Sequence, residues 1–455
     1  MIAVKRLFDR YLGGGRTSGG WARLERGRGL GFWGATALVV GNIIGSSIFM
    51  LPAVLAPFGL NALIAWGVSL AGAGCLAWVY AQLSLHLPAG AGSHGHVKML
   101  LGDDAAWLGS WGYLLSVWTA NAAIAVAGVS YCLKIMPGLE QWSFAPETLG
   151  LLMIVLLLAA NLRAIGGSIQ IVSTLLKLIP FVLVIALGFW LFIDQGDAAF
   201  AGMSQQAIGW EPALASVGIT LFALLGLESA AIPARAVREP HVVVPRATLV
   251  GLLLAGFVSV AATCLVALMM PASQMAQSSA PIADFISRFM GSGAGLIVAI
   301  FAAISCFGAL NGWLLVGGEL TAAMASTDGL PKRAAERNER GAPVAGLVSC
   351  AVISSIFLLL AFSRRGATAF EFVALLSATT SLVFFVICTL AALQAWRSGR
   401  LPKTRSTMVA CVGALVFSMV AFYSAGLESA TWGAACIAAG YAWRRISLAR
   451  RNASR

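Results

Sequence analysis

The chain is dominated by long apolar runs that short polar segments separate. A helix needs about 20 mostly apolar residues to cross the roughly 30 Å hydrocarbon core of a membrane. Twelve runs meet or approach that length, so the pattern predicts an all-α integral membrane protein with twelve transmembrane helices. The predicted spans are residues 32–57, 60–86, 105–132, 147–162, 168–193, 212–235, 247–270, 293–326, 342–363, 368–396, 406–425 and 429–446.

The first and sixth spans carry helix-breaking residues near their middle. The first contains GNIIGSS and the sixth contains LLGLESAA, and a proline follows each. Glycine loses much entropy in a helix and serine competes for backbone hydrogen bonds, so both spans are expected to unwind there. Matching interruptions indicate a binding site between two inverted copies of a helical repeat. The alternative is that small residues only allow close helix packing.

Composition agrees with the membrane prediction and limits the chemistry. The chain is 59% hydrophobic and 11% charged, whereas soluble proteins carry about 25% charged residues. Eight cysteines are scattered without a CxxC pair and are interpreted as small core residues. His94 and His96 lie without an acidic or thiol companion, so neither a metal nor another cofactor is expected.

The net charge of +12 is distributed unevenly. Placing both termini in the cytoplasm puts 25 of the 30 lysines and arginines on that side, as the positive-inside rule requires. This orientation explains the basic charge without a nucleic-acid partner. Residues 1–30 are expected to be a basic cytoplasmic tail rather than a signal peptide, and residues 447–455 a second tail.

Two charged residues fall inside predicted spans. A charge at the centre of a bilayer costs at least ~2.5 kcal/mol, so Glu228 is expected to face a partner or a cavity. The same GLESA pentapeptide recurs around Glu428, which lies at the end of a span. The pentapeptide itself therefore indicates no function, and only the predicted burial of Glu228 points to a functional role. Lys177 either stays buried within the membrane, where its charge is disfavoured, or extends to the cytoplasmic surface. Glu319 is expected at the cytoplasmic end of its span rather than in a pocket.

Several segments resemble a known family. GNIIGSSIF, GLESAA, REPHVVVPRA, STDGLP and GAPVAGL resemble the amino acid/polyamine/organocation (APC) superfamily, and specifically its basic amino acid/polyamine antiporter branch, over roughly residues 30 to 446. The resemblance implies a LeuT-like fold with inverted repeats at 31–194 and 212–397, followed by two helices at 404–446. It also implies a homodimer in the bacterial inner membrane, with membrane lipid and an amino acid or amine substrate as partners.

The resemblance also assigns roles to individual residues. Substrate contacts are implied for Asn42, Ser46, Ser47, Trp118, Asn121, Phe222, Leu225, Trp313 and Ser377. Gating or proton coupling is implied for Tyr113, near the periplasmic side, for Glu228 and for Lys177, whose amine would stand where sodium-coupled relatives bind an ion. An indole at 313 would stack on a cationic side chain, although it could also be a tryptophan at the lipid interface.

The resemblance implies exchange of arginine for agmatine by alternating access. The alternative is proton-coupled uptake of a broader set of amino acids, which Lys177 and Phe222 favour. At position 222 the arginine exchangers carry tryptophan. Ser47 and Ile124 also differ from those exchangers and are compatible with another amino acid. An enzyme is not expected, because paired catalytic carboxylates, HExxH and a Ser/His couple are missing from the spans.

Overall fold

The computed structural model describes residues 31–45, 47–88, 92–163, 176–227, 239–326, 330–364 and 367–453, and regular structure in these ranges is helical. The helices are α1 (Phe32–Ile43), α2 (Ser47–Leu55), α3 (Asn61–His86), α4 (Gly92–Leu101), α5 (Asp103–Ile135), α6 (Ala145–Leu162), α7 (Leu178–Gln195), α8 (Trp210–Ala215), α9 (Val217–Phe222), α10 (Pro240–Met269), α11 (Ala272–Gln277), α12 (Pro281–Met290), α13 (Ser292–Ser326), α14 (Val344–Ala361), α15 (Ala367–Arg397), α16 (Arg405–Ser424) and α17 (Gly426–Ala453). Short 3-10 helices occupy Ala56–Phe58, Pro137–Gln141, Gly196–Phe200 and Lys332–Ala335.

Nine helices of the described ranges are long and apolar enough to cross a membrane, namely α3, α5, α6, α7, α10, α13, α14, α15 and α16. The first predicted span is divided into α1 and α2, and the sixth begins as α8 and α9. The twelfth corresponds to α17, which continues to Ala453. Residues 447–453, which were expected to belong to a tail, therefore extend the last helix.

Helix α5 runs through the centre of the molecule. Its most apolar stretch is buried on all sides, as expected for a helix that is hydrophobic all round. It packs mainly against α13 and α15. The close approach of α5 to α15 depends on a small residue at 112. A Cβ added at Gly112 would lie 3.0 Å from the Thr380 carbonyl oxygen of α15. By contrast, α7 and α16 expose large apolar side chains such as Ile193 and Met419.

Polar contacts connect the loops in a way that agrees with the predicted alternation of spans. Each contact joins two segments that a twelve-span topology places on the same face of the membrane. The pairs are Lys134–Asp284, Arg364–Glu428, Asp104–Arg444 and Asn338 with the carbonyl oxygen of Leu162. The fold is therefore consistent with the order of spans expected from the apolar runs.

Candidate functional site

The first span is interrupted at the predicted place. Helix α1 ends at Ile43, Ile44 adopts a non-helical ψ of 77°, and α2 begins at Ser47. Ser47 is buried. Asn42 belongs to the last turn of α1, but its side chain and the whole of Ser46 lie outside the described residues.

Lys177 compensates for a hydrogen bond that the break removes. In a continuous helix the Gly45 N–H would bond to the Gly41 carbonyl, but it bonds to the Ile43 carbonyl instead, at 2.7 Å. The Lys177 ammonium donates to the free Gly41 oxygen, where the helix dipole also favours a cation. Lys177 is only 4% exposed. This contradicts the alternative in which its ammonium extends to the cytoplasmic surface.

The sixth span loses its helical structure shortly before Glu228. Helix α9 ends at Phe222, and residues 223–227 form turns in which Gly226 has a φ of +103°. Glycine adopts this conformation without the strain that a side chain would cause. Glu228 and the residues up to 238 lie outside the described part of the chain. The predicted interruption is therefore confirmed up to Leu227.

Hydroxyl groups hold α9 on two sides. The Ser69 and Thr220 hydroxyl oxygens are 2.7 Å apart, which connects α9 to α3. On the other side the Gly218 N–H donates to the Ser424 hydroxyl of α16, at 2.6 Å. Helix α9 also packs against α2 and α15. The two interrupted spans therefore meet in the core.

Two predicted substrate contacts lie together at the end of α9. Phe222 and Leu225 are both buried. The Phe222 ring is 5.7 Å from the Phe370 ring of α15, in an edge-to-face arrangement. This contact fixes the predicted gating aromatic against α15.

The expected periplasmic location of Tyr113 and the expected cytoplasmic termini disagree with each other. Tyr113 lies in the first third of α5, which begins at Asp103, and its ring packs 5.0 Å from that of Phe384. With both termini in the cytoplasm, the third span runs from the inside outward. Tyr113 then belongs to the cytoplasmic half, because spans alternate in direction.

Tyr131, five turns along α5 from Tyr113, faces α2. Its hydroxyl donates to the Phe49 carbonyl at 3.0 Å and accepts from the Ile282 N–H of α12 at 3.3 Å. Asn121 is rotated by about 80° from this face, at 100° per residue. Asn121 instead donates to Ser354 of α14.

The other predicted contacts are distributed around α5. Trp118 packs edge-to-face on Trp111, at 5.5 Å. The Ser377 hydroxyl donates to the Ser116 carbonyl at 2.9 Å, which joins α15 to α5. Trp313 is half-buried on α13. The structure therefore brings Phe222 and Leu225 together, and it places Trp118, Asn121 and Ser377 in helix contacts.

Glu319 lies two turns before the end of α13, and its side chain is partly exposed. Its carboxylate binds both terminal nitrogens of Arg337, at 2.6 and 2.9 Å. Neighbouring Asn338 donates to the Leu162 carbonyl at the end of α6. The ion pair also raises the pKa of Arg337, chiefly through the hydrogen bonds to Glu319.

Comparisons with known proteins identify the family. The family model described as amino acid permease matches residues 30–435. The chain belongs to the amino acid permease family. The permease is 31% identical to the cadaverine/lysine antiporter of Escherichia coli (strain K12) over 339 residues, which cover 73% of the permease and 74% of the antiporter.

Two further curated relatives are antiporters or amine transporters. The permease is 27% identical over 407 residues to the putrescine transporter PotE of Escherichia coli (strain K12), with 88% and 91% of the two chains covered. It is 31% identical over 372 residues to a putative arginine/ornithine antiporter of Bacillus subtilis (strain 168), with 75% and 79% covered. These relatives establish the basic amino acid/polyamine antiporter branch, so the permease is a transporter rather than an enzyme.

The fold matches that of a solved transporter. The structure of MhsT in complex with L-phenylalanine aligns with a TM-score of 0.63 and 15% identity, covering 90% of the permease and all of that chain. This likeness concerns the fold alone. It agrees with the LeuT-like architecture that the sequence resemblance implied.

Sequence reasoning missed several residues that hold the site. The sequence did not predict the roles of three groups, namely the Gly41 carbonyl, the Ser69–Thr220 pair and Ser354. The available signal was the presence of hydroxyl side chains inside apolar spans, where a polar group needs a partner. That signal does not identify the partner, because the partners are distant in sequence.

Proposed function

We propose that this permease is a secondary active transporter that exchanges a basic amino acid for its decarboxylation product by alternating access. Arginine and agmatine are the first pair to test. The observation that carries the proposal is the break in the first span, where Lys177 binds the free Gly41 carbonyl. The antiporter and amine-transporter relatives supply the class of cargo.

The break offers different chemistry at its two ends. The first N–H groups of α2 lack partners within the helix and favour an anion, and Ser47 adds a buried hydroxyl there. At the end of α1, Lys177 already satisfies the carbonyl. An amino acid would place its carboxylate at α2, whereas its decarboxylated product has no such group. The product would therefore bind less tightly at this end, which helps release.

We place the cationic end of the substrate near aromatic residues. A cation over an aromatic ring gains about 0.5–2 kcal/mol, and Trp313 and Phe222 would provide such rings. Aromatic faces attract a cation without a fixed opposite charge. An exchanger needs this moderate affinity, because it must release each substrate on the other side.

Proton-coupled uptake of a broader set of amino acids is a second candidate, and Lys177 favours it. No ion pair of Lys177 is found within the described ranges. A buried amine without a carboxylate partner can change its protonation during transport. In either function the amine would occupy the space of a sodium ion, so we propose that transport does not need sodium.

Counterflow in proteoliposomes tests the proposal. Vesicles are loaded with agmatine, cadaverine, putrescine, ornithine or a neutral amino acid, and uptake of labelled arginine or lysine is followed. We expect uptake to require an internal basic amino acid or amine and to be equal in sodium and potassium buffers. If a pH gradient drives uptake into empty vesicles, the result would instead establish the second candidate, proton-coupled uptake.

We also propose that the permease forms a homodimer in the bacterial inner membrane with both termini in the cytoplasm. The distribution of positive charge supports this orientation. Labelling from outside intact cells would test it, with single cysteines introduced at Ser363 and Ser398 of a variant that lacks the eight native cysteines. Only the variant at 363 should react, because the two positions lie at opposite ends of α15.

A further inference from the structure

The contact between α5 and α14 contains a buried polar cluster. Asn121, Ser354 and Cys350 are all fully buried. The Asn121 amide nitrogen donates to the Ser354 hydroxyl at 3.3 Å and to the Cys350 sulfur at 3.5 Å. Residues 350 and 354 are one turn apart and share one face of α14. The ninth span thus provides both partners of a single amide.

Close packing limits how this amide can move. Helix α13 approaches the cluster through Gly317, where an added Cβ would lie 2.4 Å from the Cys350 sulfur and 3.0 Å from Val117 of α5. Three helices therefore meet at this point without space for a larger side chain. Side chains in such dense packing keep defined orientations.

Among the residues that the structure describes, only one end of the amide is used. The Asn121 Oδ1 atom is buried and has no hydrogen-bond partner in these ranges. Buried polar atoms are normally paired. The unpaired Oδ1 acceptor therefore indicates that a bound molecule supplies the missing donor.

We propose that Ser354 is a positioning residue for substrate recognition. Its hydroxyl accepts an Asn121 N–H, and this bond orients the amide so that Oδ1 remains free for a ligand. Cys350 supports the same orientation through a second, weaker acceptor. The inference rests on the proposed function, because it takes Asn121 as the substrate contact that the sequence resemblance implies. Ser354 itself acts only through Asn121.

Ser354→Ala is the first test. Without the acceptor the amide loses its preferred orientation, so KM and the dissociation constant should rise about fivefold while kcat stays nearly constant. A neutral hydrogen bond contributes about 1 kcal/mol, which corresponds to that factor. Ser355→Ala is the matched control, because its hydroxyl donates only to the Ala351 carbonyl of its own helix. It should leave KM unchanged.

A double-mutant cycle separates positioning from a general structural effect. In an Asn121→Ala background, Ser354→Ala should cause no further loss, because the residue through which it acts is gone. Additive losses, or an unchanged KM in Ser354→Ala, would overturn the proposal. Ser354→Cys, which keeps a weak acceptor, replaces the alanine variant if thermal unfolding shows the latter to be unstable.

Binding measured in detergent keeps this test independent of the exchange mechanism. Labelled arginine, lysine, ornithine and phenylalanine are tested on the wild-type protein first. If only phenylalanine binds, the proposed function fails, and the same cycle is measured with phenylalanine. If a basic amino acid binds and exchanges but Ser354→Ala behaves as wild type, the positioning proposal alone fails.

Discussion

The two interrupted spans are held in place by different chemistry. At the break between α1 and α2, the ammonium of Lys177 donates a hydrogen bond to the Gly41 carbonyl oxygen. Helix α9 is instead fixed by neutral hydroxyl groups, through Ser69 and Ser424. A neutral hydroxyl keeps its hydrogen-bonding character across physiological pH, whereas an amine can lose its proton and charge. The first break is therefore the one whose stabilisation can change during transport.

The largest effect is expected from Lys177→Met. The substitution leaves the buried Gly41 carbonyl without its donor, and an unsatisfied buried group costs about 1–3 kcal/mol. Exchange measured by counterflow should fall by about tenfold or more. Lys134→Met is the control, because it removes a partly exposed ion pair that contributes little. Normal exchange in Lys177→Met would show that the amine is dispensable.

Glu228→Gln tests whether the sixth span also carries a titratable switch. Glutamine imitates the protonated carboxyl group, so exchange should lose its pH dependence between about pH 4 and about pH 8 while substrate still binds. Glu228→Ala should in addition loosen the gate. Glu428→Gln is the matched control, since it alters the second GLESA copy, which pairs with Arg364. An unchanged pH profile in Glu228→Gln would leave Lys177 as the remaining candidate switch.

Trp313→Leu tests whether the cationic side chain of the substrate stacks on this indole. Affinity for cationic substrates should fall by about twofold to thirtyfold, because a cation over an indole gains about 0.5–2 kcal/mol. Neutral substrates should be affected much less. Trp432→Leu is the control, because that tryptophan is partly exposed on α17. Equal losses for both substrate classes would assign Trp313 to packing or to the lipid interface.

The smallest effect is expected from Ser69→Ala. Loss of the bond to Thr220 should lower the free energy of unfolding by about 1 kcal/mol, measured by thermal unfolding in detergent. Thr220→Val should add little to it, since both substitutions remove the same bond. Ser418→Ala is the control, because this buried hydroxyl bonds only to its own helix. A large loss of exchange in Ser69→Ala would contradict the static role of α9.

The spans and their interruptions could be predicted from the sequence because both depend on local patterns. Apolar length defines a span, and Gly-Ser clusters weaken a helix wherever they occur. The short helices α4 and α12 were not predicted, because their ten residues fall far below the length of a membrane span. Helix α12 is a ten-residue amphipathic helix with Ile282 and Phe285 on its buried face.

The partners within the site could not be predicted in the same way. Gly41 and Lys177 are 136 residues apart, and Asn121 and Ser354 are 233 apart. Such pairs depend on how helices are rotated and shifted against each other, which an apolar pattern leaves undetermined. The disagreement over Tyr113 has a simpler cause. Tyr113 lies early in the third span, which runs from the inside outward if both termini are cytoplasmic.

The hydroxyl of Tyr131 has a consequence for how the permease tolerates mutation. Both of its hydrogen bonds end on backbone atoms, the Phe49 carbonyl and the Ile282 N–H. These hydrogen bonds therefore do not depend on the chemistry of the side chains at 49 and 282, apart from a proline at 282, which has no N–H. The hydrogen-bonded link between α2 and α12 consequently depends on one side chain. Tyr131→Phe would remove both bonds at once.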